Sequence, residues 1–335
     1  MDTLTHIVLG ACIGEAVAGK QLGKKALLLG AIAQNIPDID FIASFWLPTT
    51  SDLLAHRGFT HSFLFVILFS PLLAWLSGLC FPKVDMTFRR WLLFWGLQIF
   101  IHIFIDAFNA YGTGWFEPFS HYRVSFNTMF VADPIFAAPL ALAFIVLLVL
   151  KTASPKRKAW VRIGLGLSIL YLLLGIAFKL CVDNTVKNEL QNKHMVSKRF
   201  FTTPTPLNNL LWYIVAENDT GYNIGYRSVF DKTSDIDFHY AARNDSLLKL
   251  AEDKEGVNRL VRFSQGYYHA EQWHDTLVFN DLRFGEICGW HYLHPRFVFY
   301  YFLQHPGDNN MVIQRGRFAR WNKEELMSFL KRIFS

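Results

Sequence analysis

The chain has 335 residues, of which 52% are hydrophobic and 18% are charged. Soluble domains average about 25% charged residues, so this composition argues against an ordinary soluble protein and favours a membrane protein. The charges are unevenly distributed: residues 1–180 contain 9 acidic and 14 basic residues, whereas residues 181–335 contain 18 and 19. Because the basic residues of the first half adjoin apolar runs, we predict no nucleic-acid partner for the net charge of +6.

Four long apolar segments follow one another in the first half of the chain. Each approaches the length of about 20 residues that a helix needs to cross a bilayer. They are residues 63–81, 91–108, 134–150 and 160–180. Two shorter apolar stretches, 4–18 and 26–36, precede them, and a core helix and a partial span are equally compatible with their length.

Three clusters of basic residues separate these segments, at 20–25, 83–90 and 151–158. If the chain zigzags through the membrane, all three clusters lie on one side, which the bias of Lys and Arg makes the cytoplasmic side. The sequence therefore predicts a multi-pass protein. The end of the helical bundle opposite the basic clusters, together with all residues after 180, would be extracytoplasmic.

Residues 181–335 have the composition of a soluble domain. Aromatic and β-branched runs at 210–216 and 222–230 flank a turn-like Asn-Asp-Thr-Gly, which predicts a hairpin. Further strands are expected at 260–263, 276–279 and 297–303. Apolar and charged residues alternate at helical spacing over 322–334, which predicts a last helix with Asn322 as its N-cap. Four histidines, at 269, 274, 291 and 294, have no ligand spacing. We predict a mostly α, polytopic membrane helical bundle over 1–180 and a C-terminal soluble α+β domain, mainly antiparallel β, over 181–335.

Eight ionisable residues of the first half fall at the same predicted end of the bundle. Such groups are costly inside a membrane and usually functional there. The eight are His6, Asp38, Asp40, His56, His61, His102, Asp106 and Asp133. Taken singly, His6 and Asp133 would be capping or interfacial residues. Their convergence with the other six is the main indication of a functional site.

Two short motifs supply four of the eight residues. His102 and Asp106, spaced i, i+4, share a helix face, so they can bind one ion or form a hydrogen-bonded pair that joins helices. Pro37 discourages continuation of the preceding helix. Asp38 and Asp40 then repel each other unless a cation lies between them, although turn and capping chemistry would also suit them.

A third motif, HRGFTHS at residues 56–62, places His56 and His61 on either side of a glycine and an arginine. Gly58 permits an unusual backbone conformation. Arg57 carries a forked set of donors suited to a phosphate or a carboxylate. A membrane-interface anchor would account for the arginine but not for two histidines.

Imidazole and carboxylate ligands without clustered thiolates favour Zn²⁺, Mn²⁺ or Fe²⁺ in a catalytic site. A catalytic zinc ion uses about three protein ligands, so eight candidates favour two ions or more. Such a site lowers the pKa of a bound water and can hold a phosphoryl or ester oxygen.

Taken together, the motifs resemble a known family. MDTLTH, PDID, HRGFTHS, HIFIDAFNAYGTGWFEPFS and the later ADP are similar, in order and spacing, to the bacterial membrane-bound metal-dependent hydrolases, also described as LexA-binding, inner-membrane-associated hydrolases. The resemblance covers residues 1–180 and implies location in the inner membrane. It also implies that the metal ligands are His6, Asp38, Asp40, His56, His61, His102 and Asp106, with Asp133 at a recurring position.

The leading hypothesis is a membrane-bound, metal-dependent hydrolase, with Zn as the favoured ion, that cleaves a phospho- or ester-containing lipid or envelope metabolite with metal-activated water. Asp40 or Asp106 would act as base or orient the water, and Arg57, with Arg123 nearby, would bind the anionic group. A metal or ion transporter is an alternative, but two of the four long segments hold almost no polar groups to line a path. Another is a membrane-anchored interaction protein with a structural His/Asp cluster and an unknown protein partner.

Overall fold

A computed structural model describes residues 1–292, 295–304, 318 and 321–334, so His294 lies outside the described residues. The chain forms two compact units. The helical unit comprises Met1–Phe45, Ala55–Gly175 and Pro206–Asn208, and the sheet unit comprises Trp46–Leu54, Ile176–Thr205 and Asn209–Ser335. The predicted boundary at residue 180 lies inside a helix that both units share. The division into a membrane domain and an extracytoplasmic domain stays a prediction.

The first 192 residues are helical apart from their connecting loops. In chain order the helices are α1 (Thr3–Leu22), α2 (Lys25–Gln34), a 3-10 helix (Pro37–Phe45), α3 (Thr49–Ala55), a short 3-10 helix (Phe59–His61), α4 (Phe63–Cys80), α5 (Phe88–Asp106), α6 (Pro134–Val149) and α7 (Lys156–Asn192). This agrees with the mostly helical bundle that the apolar segments predict.

Three of these helices, α4, α5 and α7, are long and apolar enough to cross a membrane. The helix α2 and the following 3-10 helix would form a fourth span as a pair bent by 54°. Pro37 stands at that bend, where it lacks the N–H that a continuing helix would use. At 16 residues, α6 is shorter than the about 20 residues of a full span.

Glycines allow α1 and α2 to pack closely. A Cβ atom on Gly10 would lie 2.3 Å from the carbonyl oxygen of Gly30, and one on Gly14 would lie 2.2 Å from that of Ala26. Only residues without a side chain permit this approach of two backbones. The contact holds the start of α1 beside the end of α2, where the polar residues gather.

The three basic clusters meet at the other end of the helical unit. Arg90 donates a hydrogen bond to the carbonyl of Val17 in α1 at 2.8 Å. Lys24 donates to a carbonyl near the end of α6. Arg157 forms an ion pair with Glu15 at 2.7 Å. The basic residues thus share one end, as the zigzag topology requires, and the side of the membrane that this end faces stays a prediction.

The sheet unit contains two antiparallel sheets. One has the order β1 (Arg199–Pro204), β2 (Leu211–Glu217), β3 (Gly221–Ser228), β4 (Phe238–Ala242), and the other has the order β5 (Tyr268–Trp273), β6 (Thr276–Glu286), β7 (Phe297–Phe302). The strands β2 and β3 form the predicted hairpin, whose turn is held by backbone N–H groups of Thr220 and Gly221 on the side chain of Asn218.

Among the described residues of this unit, three helices accompany the strands: α8 (Asp245–Leu248), α9 (Lys254–Phe263) and α10 (Lys323–Phe334). The prediction of a strand at 260–263 is wrong, because these residues end α9. Asp253 caps that helix, and Val257, Leu260 and Phe263 are buried at the three-residue spacing of one helix face. The strands predicted at 276–279 and 297–303 are confirmed, and Asn322 caps the predicted last helix.

Candidate metal centre

Four of the eight predicted residues converge on one point. Each offers one ligand atom that lies within 4.8 Å of the ligand atoms of the other three. The four, which we name the His/Asp group, are Asp38, His61, His102 and Asp106. They come from the 3-10 helix after α2, the short 3-10 helix before α4, and the last turn and a half of α5, so three separate elements build the group.

The distances within the His/Asp group suit a tetrahedral metal ion. The Nε2 atoms of His61 and His102 are 3.1 Å apart. Oδ1 of Asp38 lies 3.5 and 3.4 Å from these two nitrogens, and Oδ2 of Asp106 lies 3.5 and 3.8 Å from them. Ligands at zinc-bond lengths of 2.0–2.2 Å in a tetrahedron are separated by about 3.3–3.6 Å. The donor atoms therefore match the size and the donor chemistry of a zinc-like ion.

The burial of the group also favours a cation. The side chains of His61, His102 and Asp106 are fully buried, and that of Asp38 is 24% exposed. Within the described part of the chain, Oδ2 of Asp106 accepts no hydrogen bond, although Nε of Arg57 lies 3.0 Å away. Arg57 therefore compensates the charge of this oxygen without a hydrogen bond, and a metal ion would add the direct bond that the oxygen lacks.

His6 adjoins the group from α1. Its Nε2 lies 3.2 Å from Oδ1 of Asp106, and its ring stacks on that of His102 with centroids 3.9 Å apart. Its Nδ1 lies 3.3 Å from Oε1 of Gln34, and the α-amino group of Met1 also contacts Asp106. The sequence did not single out Gln34, although two adjacent amides, Gln34 and Asn35, at the end of an otherwise apolar stretch were a usable signal.

Asp40 faces the opposite side of His61. Its Oδ2 lies 3.4 Å from Nδ1 of His61 and accepts hydrogen bonds from the backbone N–H of Arg57 and the hydroxyl of Thr60. Its Oδ1 lies 3.0 Å from Nδ1 of His56. A carboxylate on the far nitrogen of a metal-binding histidine fixes the tautomer and direction of that ring. The structure thus places Asp40 and His56 beside the His/Asp group rather than within it.

Arg57 is buried and directed towards the group. It donates a hydrogen bond to Oδ1 of Asn109 at 2.9 Å, and its Nε is close to Asp106. Burial lowers the pKa of Arg57, and the negative charge of Asp38 opposes this shift. Gly58 has the unusual backbone that was expected, with φ of −86° and ψ of −120°. Arg57 before it has φ of 58°, a conformation that strained functional sites often contain.

Two further predicted residues have other surroundings. Arg123 donates a hydrogen bond to the backbone carbonyl of His56 at 2.6 Å and so holds the loop that carries the HRG motif. Asp133 caps the start of α6 and accepts a hydrogen bond from the hydroxyl of Tyr171 at 2.7 Å. The structure does not bring Asp133 into the His/Asp group, and its role as a ligand stays a prediction.

Comparison with known proteins extends the sequence-based resemblance. A family model described as YdjM inner membrane protein matches residues 1–181. The uncharacterized protein YfhP of Bacillus subtilis is 34% identical over 151 residues, which are 42% of this chain and 45% of YfhP. The inner membrane protein YbcI of Escherichia coli is 30% identical over 122 residues, which are 36% of this chain and 69% of YbcI.

The match therefore spans less than half the length of YfhP and about two thirds of YbcI. No solved structure matches the chain. The family match covers more than half of the residues, including every member of the His/Asp group, and agrees with the three apolar helices of spanning length. The chain belongs to the YdjM inner membrane protein family.

Proposed function

We propose that this protein is a membrane-bound, metal-dependent hydrolase that acts on a phosphate- or ester-containing lipid or envelope metabolite. The observation that carries the proposal is the convergence of two imidazole nitrogens and two carboxylate oxygens at metal-ligand spacing in the His/Asp group. If His61, His102 and Asp106 hold the ion, a fourth position is left for water, as in catalytic zinc sites. A divalent ion such as zinc, bound there, supplies an activated water and a Lewis acid for a phosphoryl or carbonyl oxygen.

The residues around the group have distinct roles in this proposal. His61 and His102 hold the ion through Nε2, and Asp40 orients His61 through its other nitrogen. Arg57 and His6 both approach Asp106 and keep this buried carboxylate in place. Asp38 has the only partly exposed side chain of the group, so it lies on the side from which a substrate enters and is the candidate to accept a proton.

Exposed aromatic residues near the site support a substrate from the membrane. Phe41 and Phe59 lie on the two 3-10 helices that carry Asp38 and His61, and both are exposed. Phe116 and Phe119 are exposed on the loop after α5, which joins the HRG motif through a hydrogen bond from Gly114 N–H to the carbonyl of Arg57. Aromatic side chains favour the headgroup level of a bilayer, which would place the site among lipid headgroups.

A structural cluster is the second candidate, because Arg57 and Asp106 form a buried ion pair with Asn109 beside them. Charges paired in this way can join helices without a metal ion. In that case the protein would be a membrane-anchored interaction protein. The two candidates differ in whether the purified protein binds a divalent ion and whether that ion is needed for turnover.

The test is hydrolysis by the full chain in detergent, with chromogenic phosphomonoester, phosphodiester and carboxyl ester probes and a labelled bacterial lipid extract. We expect turnover of at least one probe class, its loss on chelation, and its return with one divalent ion. His102→Ala should reduce turnover to background, while His121→Ala, an exposed histidine of the same unit, should not. Turnover that survives His102→Ala would refute the assignment, and metal binding without turnover of any probe would favour a structural ion.

A further inference from the structure

A groove of about 630 Å³ lies between α4 and α5, and its lining includes no member of the His/Asp group. Its volume is within the range of about 300–1,000 Å³ typical of small-molecule sites. Its walls are almost entirely apolar, apart from Arg89 at one end and Ser70 in the middle. Both helices are long enough to span a membrane, so the groove faces lipid rather than water. From these features we propose that the groove binds an acyl chain of one anionic phospholipid, whose phosphate contacts Arg89.

The length of the groove fits one leaflet. On α5 it extends from Arg89 through Gly96 to Phe100, positions that share one helix face. Eleven residues at 1.5 Å each give about 16 Å along the helix axis. This is half of the hydrocarbon thickness of about 30 Å. A single acyl chain that enters from the Arg89 end therefore matches the groove in direction and depth.

A missing side chain and an unpaired hydroxyl form the middle of the groove. A Cβ atom on Gly96 would lie 3.6 Å from Oγ of Ser70, which is an ordinary contact distance. The packing of α4 against α5 therefore does not itself require a glycine here, and its missing side chain widens the groove. Ser70 is buried, and its Oγ has no hydrogen-bond partner in the described part of the chain. The hydroxyl of Ser70 can donate a hydrogen bond to an ester oxygen of a lipid, an acceptor that a pure hydrocarbon does not offer.

The charge at the mouth selects an anionic headgroup. Arg89 is exposed and has no ion-pair partner among the residues that the structure describes. It is the second residue of α5, where Thr87 caps the helix and the free backbone N–H groups attract phosphate. Basic residues next to a span attract anionic lipids by the same electrostatics. The mouth lies at the basic end of the helical unit, opposite the His/Asp group, so this lipid is distinct from any substrate of that site.

The experiment is native mass spectrometry of the full chain in detergent, titrated with phosphatidylglycerol or with phosphatidylcholine of the same acyl chains. For the unmodified protein we expect one retained lipid and about a fivefold preference for phosphatidylglycerol, as expected for one basic residue near the headgroup. Arg89→Gln should abolish the preference while the lipid is still retained. Arg162→Gln, an exposed arginine at the start of α7, should leave the preference intact.

A second pair of variants tests the groove itself. Gly96→Leu fills it and should remove retention of both lipids, whereas Gly78→Leu, in open space on α4, should not. If Gly96→Leu does not fold, the arginine pair still decides the headgroup assignment. Equal retention by Gly96→Leu and the unmodified protein, equal loss in both leucine variants, or an unchanged preference in Arg89→Gln would overturn the proposal.

Discussion

Buried carboxylates have opposite surroundings in the two units. In the sheet unit, Asp281 is fully buried and paired with Arg283 at 2.6 Å, only two residues away. In the helical unit, Asp106 is paired with the distant Arg57 and the α-amino group of Met1, and it also meets His6, His61 and His102. The charge of a buried carboxylate such as Asp281 is compensated by one neighbouring cation, so this pair gives no indication of a bound metal ion. A buried acid that converges with imidazole nitrogens and a second carboxylate is arranged for an added cation.

The largest effect should follow loss of the local pair. Asp281→Ala removes the carboxylate of this buried ion pair, and breaking a buried pair typically costs about 3–5 kcal/mol. Hydrogen exchange of β6 in the full chain would measure the loss of stability. Asp219→Ala is the matched control, because its ion pair with Lys198 is exposed and worth at most about 1 kcal/mol. Equal effects of the two changes would contradict the structural role of the buried pair.

If the His/Asp group binds a divalent ion as proposed, removal of that ion should affect only the helical unit. At a free ion concentration of 100 times Kd, binding stabilises the folded state by about 2.7 kcal/mol. Chelation should therefore speed hydrogen exchange of α5 and leave exchange of β6 unchanged. If the chelator changes hydrogen exchange in neither unit, the protein has no bound ion. If it changes exchange equally in both units, the ion is not specific to the His/Asp group.

A smaller effect is expected from the carboxylate beside the group. Asp40→Asn should weaken metal binding by about 10–100-fold, as is typical when the partner of a liganding histidine is lost. Competition with a chromophoric chelator measures this affinity, and Asp133→Asn is the control that should leave it unchanged. Complete loss of the ion in Asp40→Asn would instead show that Asp40 is itself a ligand, as its motif predicts.

The smallest effect concerns pH and belongs to the sheet unit. Burial lowers the pKa of His239, but the hydrogen bond and charge of Glu286 outweigh it and raise the pKa above its ordinary value of 6.5. The pair therefore stabilises the fold fully below about pH 6.5 and loses this contribution as pH rises through the folded pKa. His239→Gln should reduce protection of β4 against hydrogen exchange more at pH 6 than at pH 8.5. An equal reduction at both values would contradict the ion pair.

The sequence predicted much of the architecture because the relevant signals are local. Apolar runs predict α4, α5 and α7, and the Asn-Asp-Thr-Gly turn between aromatic runs predicts the hairpin of β2 and β3. The strand expected at 260–263 failed because three apolar residues around Arg262 are too few to distinguish a strand from the end of a helix. The residues before this segment decide in favour of a helix, because Val257 continues the apolar spacing of Leu260 and Phe263 while charged residues lie between them.

The candidate site was predictable in composition but not in its internal order. Gathering of His and Asp at one end follows from topology, and the structure brings four of the eight residues together. The contacts of Gln34 with His6 and of Asp40 with the far nitrogen of His61 are tertiary, over 28 and 21 residues, and no spacing rule gives them. Asp133 shows the reverse case, because its capping position before Pro134 is a purely local feature.

The most direct measurement is the metal content of the detergent-purified full chain by elemental mass spectrometry. The unmodified protein should be compared with His61→Ala plus His102→Ala, and with His121→Ala as the control outside the His/Asp group. Our account predicts a bound divalent transition metal in the unmodified protein and the control, and its loss in the double variant. Equal metal content in all three proteins, or no metal in any of them after reconstitution with zinc or manganese, would contradict the metal centre.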